Sequence, residues 1–198
     1  MKQLEPFFSE RKRRKIFSKI EKGKDLILHR DLLPKFAKKM VKKYSIYRGP
    51  NCFHAALAFH DQRLPKSKKV NIKQEKGYHR AMINYDELWR AINRHFYEVD
   101  PGKSELKYGD MLVFFNLPQG NFDGVNFRWI RHTSTYLFDK YTFSKGSKSP
   151  NTPYAINTIE QEWHSWANYT KRLGVKVYRR STEKTMKSTP KDLTDWVF

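Results

Sequence analysis

The stretch Gly49-Pro50-Asn51-Cys52-Phe53-His54-Ala55-Ala56-Leu57-Ala58-Phe59-His60 constrains the fold more than any other part of the chain. Its Phe/Ala/Leu run has no charged side chain to turn towards water, so it suits a helix buried under other elements. Asn51 is a good N-cap residue, which predicts that Cys52 lies in the first helical turn. Free backbone N–H groups and the helix dipole favour negative charge there, and the thiolate is the nucleophilic form of cysteine. The competing role for a lone cysteine is that of a small, buried apolar residue. Because Cys52 is the only cysteine, no disulfide can form within the chain and packing must hold it together.

With 198 residues the chain is long enough for one domain with a substantial core. Hydrophobic content is low at 38% while aromatic content is 15%, which predicts a core built on large rings such as Trp89, Trp129, Trp163 and Trp166. The net charge of +20 predicts attraction to polyanions, whether nucleic acid, anionic lipid surfaces or acidic cell-wall polymers. Much of the excess lies in residues 1–48, which carry 16 Lys/Arg against 5 Asp/Glu. Within this part, Arg11, Arg13, Arg14 and Lys15, together with Lys12, form the best candidate for polyanion contact. There is no apolar run of transmembrane length. Phe7-Phe8 is followed at once by polar and basic residues, so the chain reads as soluble and without a visible export signal.

The expected organisation is a basic helical lead-in over 1–43, an α+β domain over 44–180 and a polar tail over 181–198 that ends in Trp196-Val197-Phe198. In the lead-in, Phe36, Ala37, Met40, Val41 and Tyr44 recur at helical spacing. Residues 61–80 are polar and aperiodic and suit a surface excursion. Asn84 and Glu87 have capping-box spacing ahead of the stripe Leu88, Trp89, Ile92 and Phe96, which predicts a second helix. Strands are expected within Tyr108–Phe115, Trp129–Phe138 and Tyr141–Ser144, the last two joined by a turn at Asp139-Lys140, and at Val175–Tyr178. A helix is expected over about 156–169.

A cysteine nucleophile needs a neighbouring base that takes its proton and later protonates the leaving amine, and histidine has the pKa for both tasks. His132 is the best of the seven candidates, because it lies early on an expected core strand where a polar ring needs a reason to be. His54 is two residues from Cys52 and points to another side of the same helix, which His60 also shares. His29, His79, His95 and His164 are expected on surfaces. No Cys-x-x-Cys or His-Glu-x-x-His motif occurs, and His54 and His60 lack the spacing of a zinc pair, so neither a metal nor a cofactor is expected.

A cysteine opening a helix, then Gly109-Asp110-Met111-Leu112-Val113-Phe114-Phe115, then a strand opening with His132 and running through Tyr136-Leu137 to Asp139, resembles the NlpC-type branch of the papain-fold cysteine hydrolases. The resemblance covers about residues 44–146. It implies a papain-like α+β fold, with the nucleophile at a helix N-terminus packed on a small antiparallel sheet. It also implies an amidase or endopeptidase acting on peptide bonds of the bacterial cell wall. Carried over by position, it makes Cys52 and His132 the catalytic pair and Ser144 the third polar residue, with Lys145 and Asn151 as alternatives, and it assigns Tyr47 or Tyr44 to the oxyanion. The usual Asp-Cys-Ser-Gly is replaced by Asn51-Cys52-Phe53-His54, so substrate preference does not carry over. Two other classes fit the same residues: a basic nucleic-acid-binding module with a structural cysteine, and a papain-like protein-modifying deamidase, transglutaminase or toxin.

Overall fold

A computed structural model describes residues 10–12, 14–15, 33, 37–38, 41, 51–60, 83–117, 127–149, 151–170 and 172–181. In chain order its elements are α1 (Cys52–Phe59), α2 (Tyr85–His95), β1 (Phe96–Val99), β2 (Met111–Asn116), β3 (Ile130–Phe138), β4 (Tyr141–Lys145), β5 (Tyr154–Thr158), α3 (Ile159–Ala167) and β6 (Leu173–Arg180). The architecture is mixed α+β. One six-stranded sheet runs β1-β6-β2-β3-β4-β5, and every neighbouring pair is antiparallel.

Helix α1 starts where its cap predicts. The Asn51 side chain accepts from the His54 N–H at 3.0 Å and its amide donates to the Ile83 carbonyl at 2.7 Å, so the cap also ties α1 to the segment entering α2. The helix is buried almost throughout, as its uncharged sequence demands. Cys52, Phe53, Ala56 and Leu57 pack with Leu88, Ala91 and Ile92 of α2 and with Met111, Val113 and Phe115 of β2. Ala55 and Phe59 pack with Leu137, Phe143 and Tyr154. At about 1.5–3 kcal/mol for each large side chain fully removed from water, these contacts make α1 the anchor of the core.

Helix α2 opens with a complete capping box: the Glu87 N–H donates to the Asn84 side chain at 2.9 Å and the Asn84 N–H to the Glu87 carboxylate at 2.7 Å. Asn84→Ala removes one half of that exchange and should lower stability by about 1 kcal/mol, measured as a lower urea midpoint with an unchanged slope. The expected apolar stripe runs one residue too far. Phe96 begins β1 rather than ending the helix, because its backbone pairs with Arg180 on the edge of the sheet.

Two further expectations change. The helix expected from about residue 156 starts at Ile159, and Tyr154–Thr158 is instead edge strand β5, paired along β4. Thr158 sets that boundary, accepting from the Gln161 N–H at 3.1 Å while its own N–H donates to the Gln161 side chain at 2.9 Å. Of the four tryptophans expected in the core, Trp89 and Trp129 pack against it, but Trp163 is 39% exposed. His95, expected at the surface, is buried at the end of α2. In the lead-in, Ala37 is buried and Val41 makes an isolated parallel bridge to Tyr154. The surface excursion at 61–80 and the end of the tail lie outside the described residues.

Gly109-Asp110 has a direct physical reason. Gly109 has φ +89°, a conformation that disfavours side chains, and it lets the turn into β2 close tightly. Asp110 then accepts from the Lys107 N–H at 2.8 Å and takes a two-point grip from Arg179 of β6 at 2.9 and 2.8 Å. The turn is thereby fastened to the strand beside it.

Between β2 and β3 the register shifts. Phe114 lies opposite His132 and Phe115 opposite Ile130, which leaves Arg131 as the extra residue of a bulge. In an unbroken strand, residues 130 and 132 would share a face. The bulge separates them: Ile130 joins the α1 core, while the His132 ring lies against Phe114 and against Trp166 of α3.

Candidate active site

Cys52 is the first residue of α1 and is 6% exposed. The His132 ring is fully buried, and the charge of Cys52 acts on it. It lies beyond the last paired residues of the β3–β4 ladder, Thr135 opposite Phe143. Its Nε2 is 2.8 Å from Oε2 of Glu162 on α3. The other carboxylate oxygen of Glu162 accepts from the Ser144 hydroxyl at 2.5 Å and from the Asn157 amide at 2.8 Å. Asn157 also lies 3.3 Å from the Ser144 hydroxyl, closing a small ring of polar groups under the carboxylate. Five elements, α1, β3, β4, β5 and α3, therefore each contribute one polar side chain to the candidate site.

The electrostatics follow from that arrangement. Burial by itself disfavours an imidazolium, but the charge of Cys52, then the hydrogen bond and charge of Glu162, outweigh it and raise the His132 pKa to about 9. Burial likewise pushes the Glu162 carboxyl up, yet the hydrogen bond and charge of His132, with Asn157 and Ser144, hold it below its ordinary value. The pair is thus an ion pair at neutral pH. Trp166 stacks on the imidazole with ring centres 4.9 Å apart and planes 19° apart, so a flat π face shields the cation.

Ser144, expected to orient His132, instead donates to Glu162, and the group at the imidazole is Glu162 itself. The reason is geometric: a serine side chain is short, and a carboxylate from the facing helix spans the gap and brings the charge that an imidazolium needs. Of the two alternatives, Asn151 is exposed in the loop after β4 with its N–H on Ser149, and Lys145 is buried at the end of that strand. Tyr47 and Tyr44 lie outside the described residues. His54 is buried with Nδ1 3.0 Å from the Tyr154 hydroxyl, and burial, then the charge of Lys145, lower its pKa to about 4. It is therefore a neutral ring at neutral pH.

Glu162 escaped the sequence reading, although a signal for it exists. Ile159, Glu162 and Trp166 have i, i+3, i+7 spacing, so the acid falls on the inward stripe of α3, a place where a carboxylate requires a partner. Asn157 carried no comparable signal.

The basic cluster is separate from this network. Residues 10–12 and 14–15 are helical, and Arg11, Arg14 and Lys15 are exposed, with Arg14 paired to Glu10 at 2.5 Å. Arg13 lies outside the described residues. Among the described residues, no three His, Cys, Asp or Glu side chains are grouped to hold a metal ion, and no helix is long and apolar enough to cross a membrane.

Comparison of the chain with protein-family models, with curated proteins and with solved structures found no match.

Proposed function

We propose that this chain is a cysteine-dependent amide hydrolase of papain-like, NlpC-type architecture, acting by acyl transfer through Cys52, His132 and Glu162. The observation that carries this reading is the buried His132 ring, whose Nε2 lies 2.8 Å from the Glu162 carboxylate and on which the charge of Cys52, at the start of α1, acts. Nucleophile, base and orienting acid occur in the order that acyl transfer requires. At neutral pH His132 is the imidazolium, its Nδ1 holding the proton given up by the thiol, so Cys52 attacks as the thiolate. The thiolate attacks the amide carbonyl, and the developing oxyanion is held by backbone N–H groups at the start of α1. His132 then gives its proton to the departing amine, and water releases the acyl group from the thioester. Glu162 keeps the ring oriented with a proton on Nε2, so that Nδ1 is free for this exchange.

The resemblance in sequence supports a cell-wall peptide as the substrate, cleaved by an endopeptidase or amidase. The net charge of +20 suits an anionic polymer of that kind. Digestion of purified peptidoglycan, read as new amino groups by mass spectrometry, tests the reading. The expected result is release of peptide fragments that stops when Cys52 is alkylated at neutral pH. Alkylation of Cys52 only after denaturation would overturn it. The same charge also favours a nucleic-acid-binding role. That role is indicated instead if the protein leaves peptidoglycan intact and binds DNA or RNA with an affinity that falls steeply with salt and is unaffected by Cys52→Ala.

A further inference from the structure

The two oxygens of the Glu162 carboxylate are served unequally. Oε2 faces His132 Nε2 at 2.8 Å, while Oε1 takes two donors, the Ser144 hydroxyl at 2.5 Å and the Asn157 amide at 2.8 Å. An ionised carboxylate only accepts, so the single hydroxyl proton of Ser144 is spent on Oε1. The 3.3 Å contact between Asn157 Nδ2 and Ser144 Oγ must then run from the amide to the hydroxyl oxygen. Asn157 therefore presents its –NH₂ to both neighbours, one hydrogen to each, and the bonds of this ring all lead towards Glu162.

The two residues do unequal work. Ser144 supplies one donor. Asn157 supplies the other and, by occupying a lone pair of the Ser144 oxygen, also turns that hydroxyl's proton towards the carboxylate. Its backbone is fixed for this purpose. Asn157 lies opposite Thr142 in the β4–β5 ladder, its carbonyl accepts from the Thr142 hydroxyl at 3.3 Å, and the next residue, Thr158, caps the helix that carries Glu162. Of the groups that act on the carboxylate, His132 from β3 titrates, whereas Ser144 from β4 and Asn157 from β5 do not. We infer that Asn157 is a positioning residue for the proposed site, an amide on edge strand β5 that holds Glu162 as a carboxylate, with Oε1 tied down and Oε2 turned to His132. It acts through Glu162 and not on the substrate. This inference rests on the proposed function for the task of that carboxylate, but not on the bond that is cleaved.

The test is the titration of the Glu162 carboxyl carbon, followed by NMR in protein carrying ¹³Cδ-glutamate, in wild type, Asn157→Leu and Thr142→Val. Leucine keeps the bulk of asparagine and has no donor. Two or three hydrogen bonds to a carboxylate lower its pKa by about two units, so the loss of one should raise the Glu162 midpoint by about one pH unit. Thr142→Val removes the other side-chain tie at Asn157 without touching the carboxylate, so it should lower Tm and leave the midpoint in place. In the proposed hydrolase, kcat of Asn157→Leu should fall with KM unchanged. If Asn157 only braced the sheet edge, both variants would lower Tm and neither would move Glu162. That result would overturn the inference, as would an equal rise of the midpoint in both.

A second measurement needs no variant. In wild-type protein carrying ¹⁵N-asparagine, the side-chain hydrogens of Asn157 should shift with the same midpoint as the Glu162 carboxyl carbon. Hydrogens that do not follow that titration would also overturn the inference. A Glu162 midpoint that rises in Asn157→Leu, in a protein that cleaves no amide, would leave this inference standing and overturn the hydrolase. Cleavage by Asn157→Leu at the wild-type kcat, with an unmoved Glu162 midpoint, would do the reverse.

Discussion

Replacing Cys52 with Ala should abolish amide cleavage, lowering kcat/KM by about 10⁴-fold or more, because the acyl group then has no nucleophile to receive it. The fold should survive. Cys52 fills a well-packed position between α1, α2 and β2, but it contributes one sulfur atom to a core dominated by Phe, Leu and Ile side chains. Its loss should cost about 1 kcal/mol, seen as a small drop in Tm. Cys52→Ser is the stricter control. It preserves shape and keeps an O–H where the thiol stood, yet its hydroxyl is far harder to ionise, so activity should fall nearly as far. A purely structural cysteine predicts the opposite pattern, with activity retained and stability lost.

Glu162→Gln should lower kcat by about 10²–10⁴-fold with little change in KM, and its cause lies in the tautomer of His132. Glu162 accepts at Nε2, so when the imidazolium gives its Nδ1 proton to the departing amine the neutral ring keeps its remaining proton on Nε2. Glutamine would turn its –NH₂ towards Nε2 if its carbonyl kept the Ser144 and Asn157 donors, forcing the ring proton onto the nitrogen that faces the thiol. The pH profile separates this from a general loss of packing. His132 is raised from 6.5 to about 9, so its contribution to stability is complete below about 6.5 and is lost as pH rises through about 9. Glu162 is lowered from 4.5, so its contribution is present above that value and is lost as pH falls through its depressed folded value. Wild-type activity should therefore decline on the alkaline side near pH 9, and in the Gln variant that decline should begin at lower pH. An unmoved alkaline limb would show that the carboxylate does not set the charge of the imidazole. Glu162→Ala should be worse for stability, by about 3–5 kcal/mol, since it strands a buried cation.

The parts of this protein governed by local rules were readable from residues alone. The Asn51 cap, the Asn84–Glu87 box and the Asp139-Lys140 turn each depend on side chains within three positions, and the structure has α1, α2 and the β3–β4 hairpin there. Asp139 even adopts φ +52°, as a tight turn asks. What was missed depends on distant neighbours. Phe96 has the spacing of a helical residue and becomes a strand only because β6, some eighty residues on, offers it an edge. Residues 156–158 read as the start of a helix until β4 pairs with them. At the proposed site, residue type and element order single out Cys52 and His132. Glu162 is not singled out, although it shares the inward stripe of α3 with Ile159 and Trp166. The bulge at Arg131 was invisible too, although it decides which face of β3 receives the imidazole.

The five-element construction of the site has a consequence for the order of events during synthesis. Cys52 leaves the ribosome with its helix, His132 follows 80 residues later, and Glu162 follows another 30 after that. Until β5 and α3 are in place, the imidazole has no carboxylate beside it. In the proposed hydrolase the growing chain therefore carries its nucleophile without the full set of partners until α3 has emerged. The contacts that close the sheet edge are also the ones that complete the proposed site.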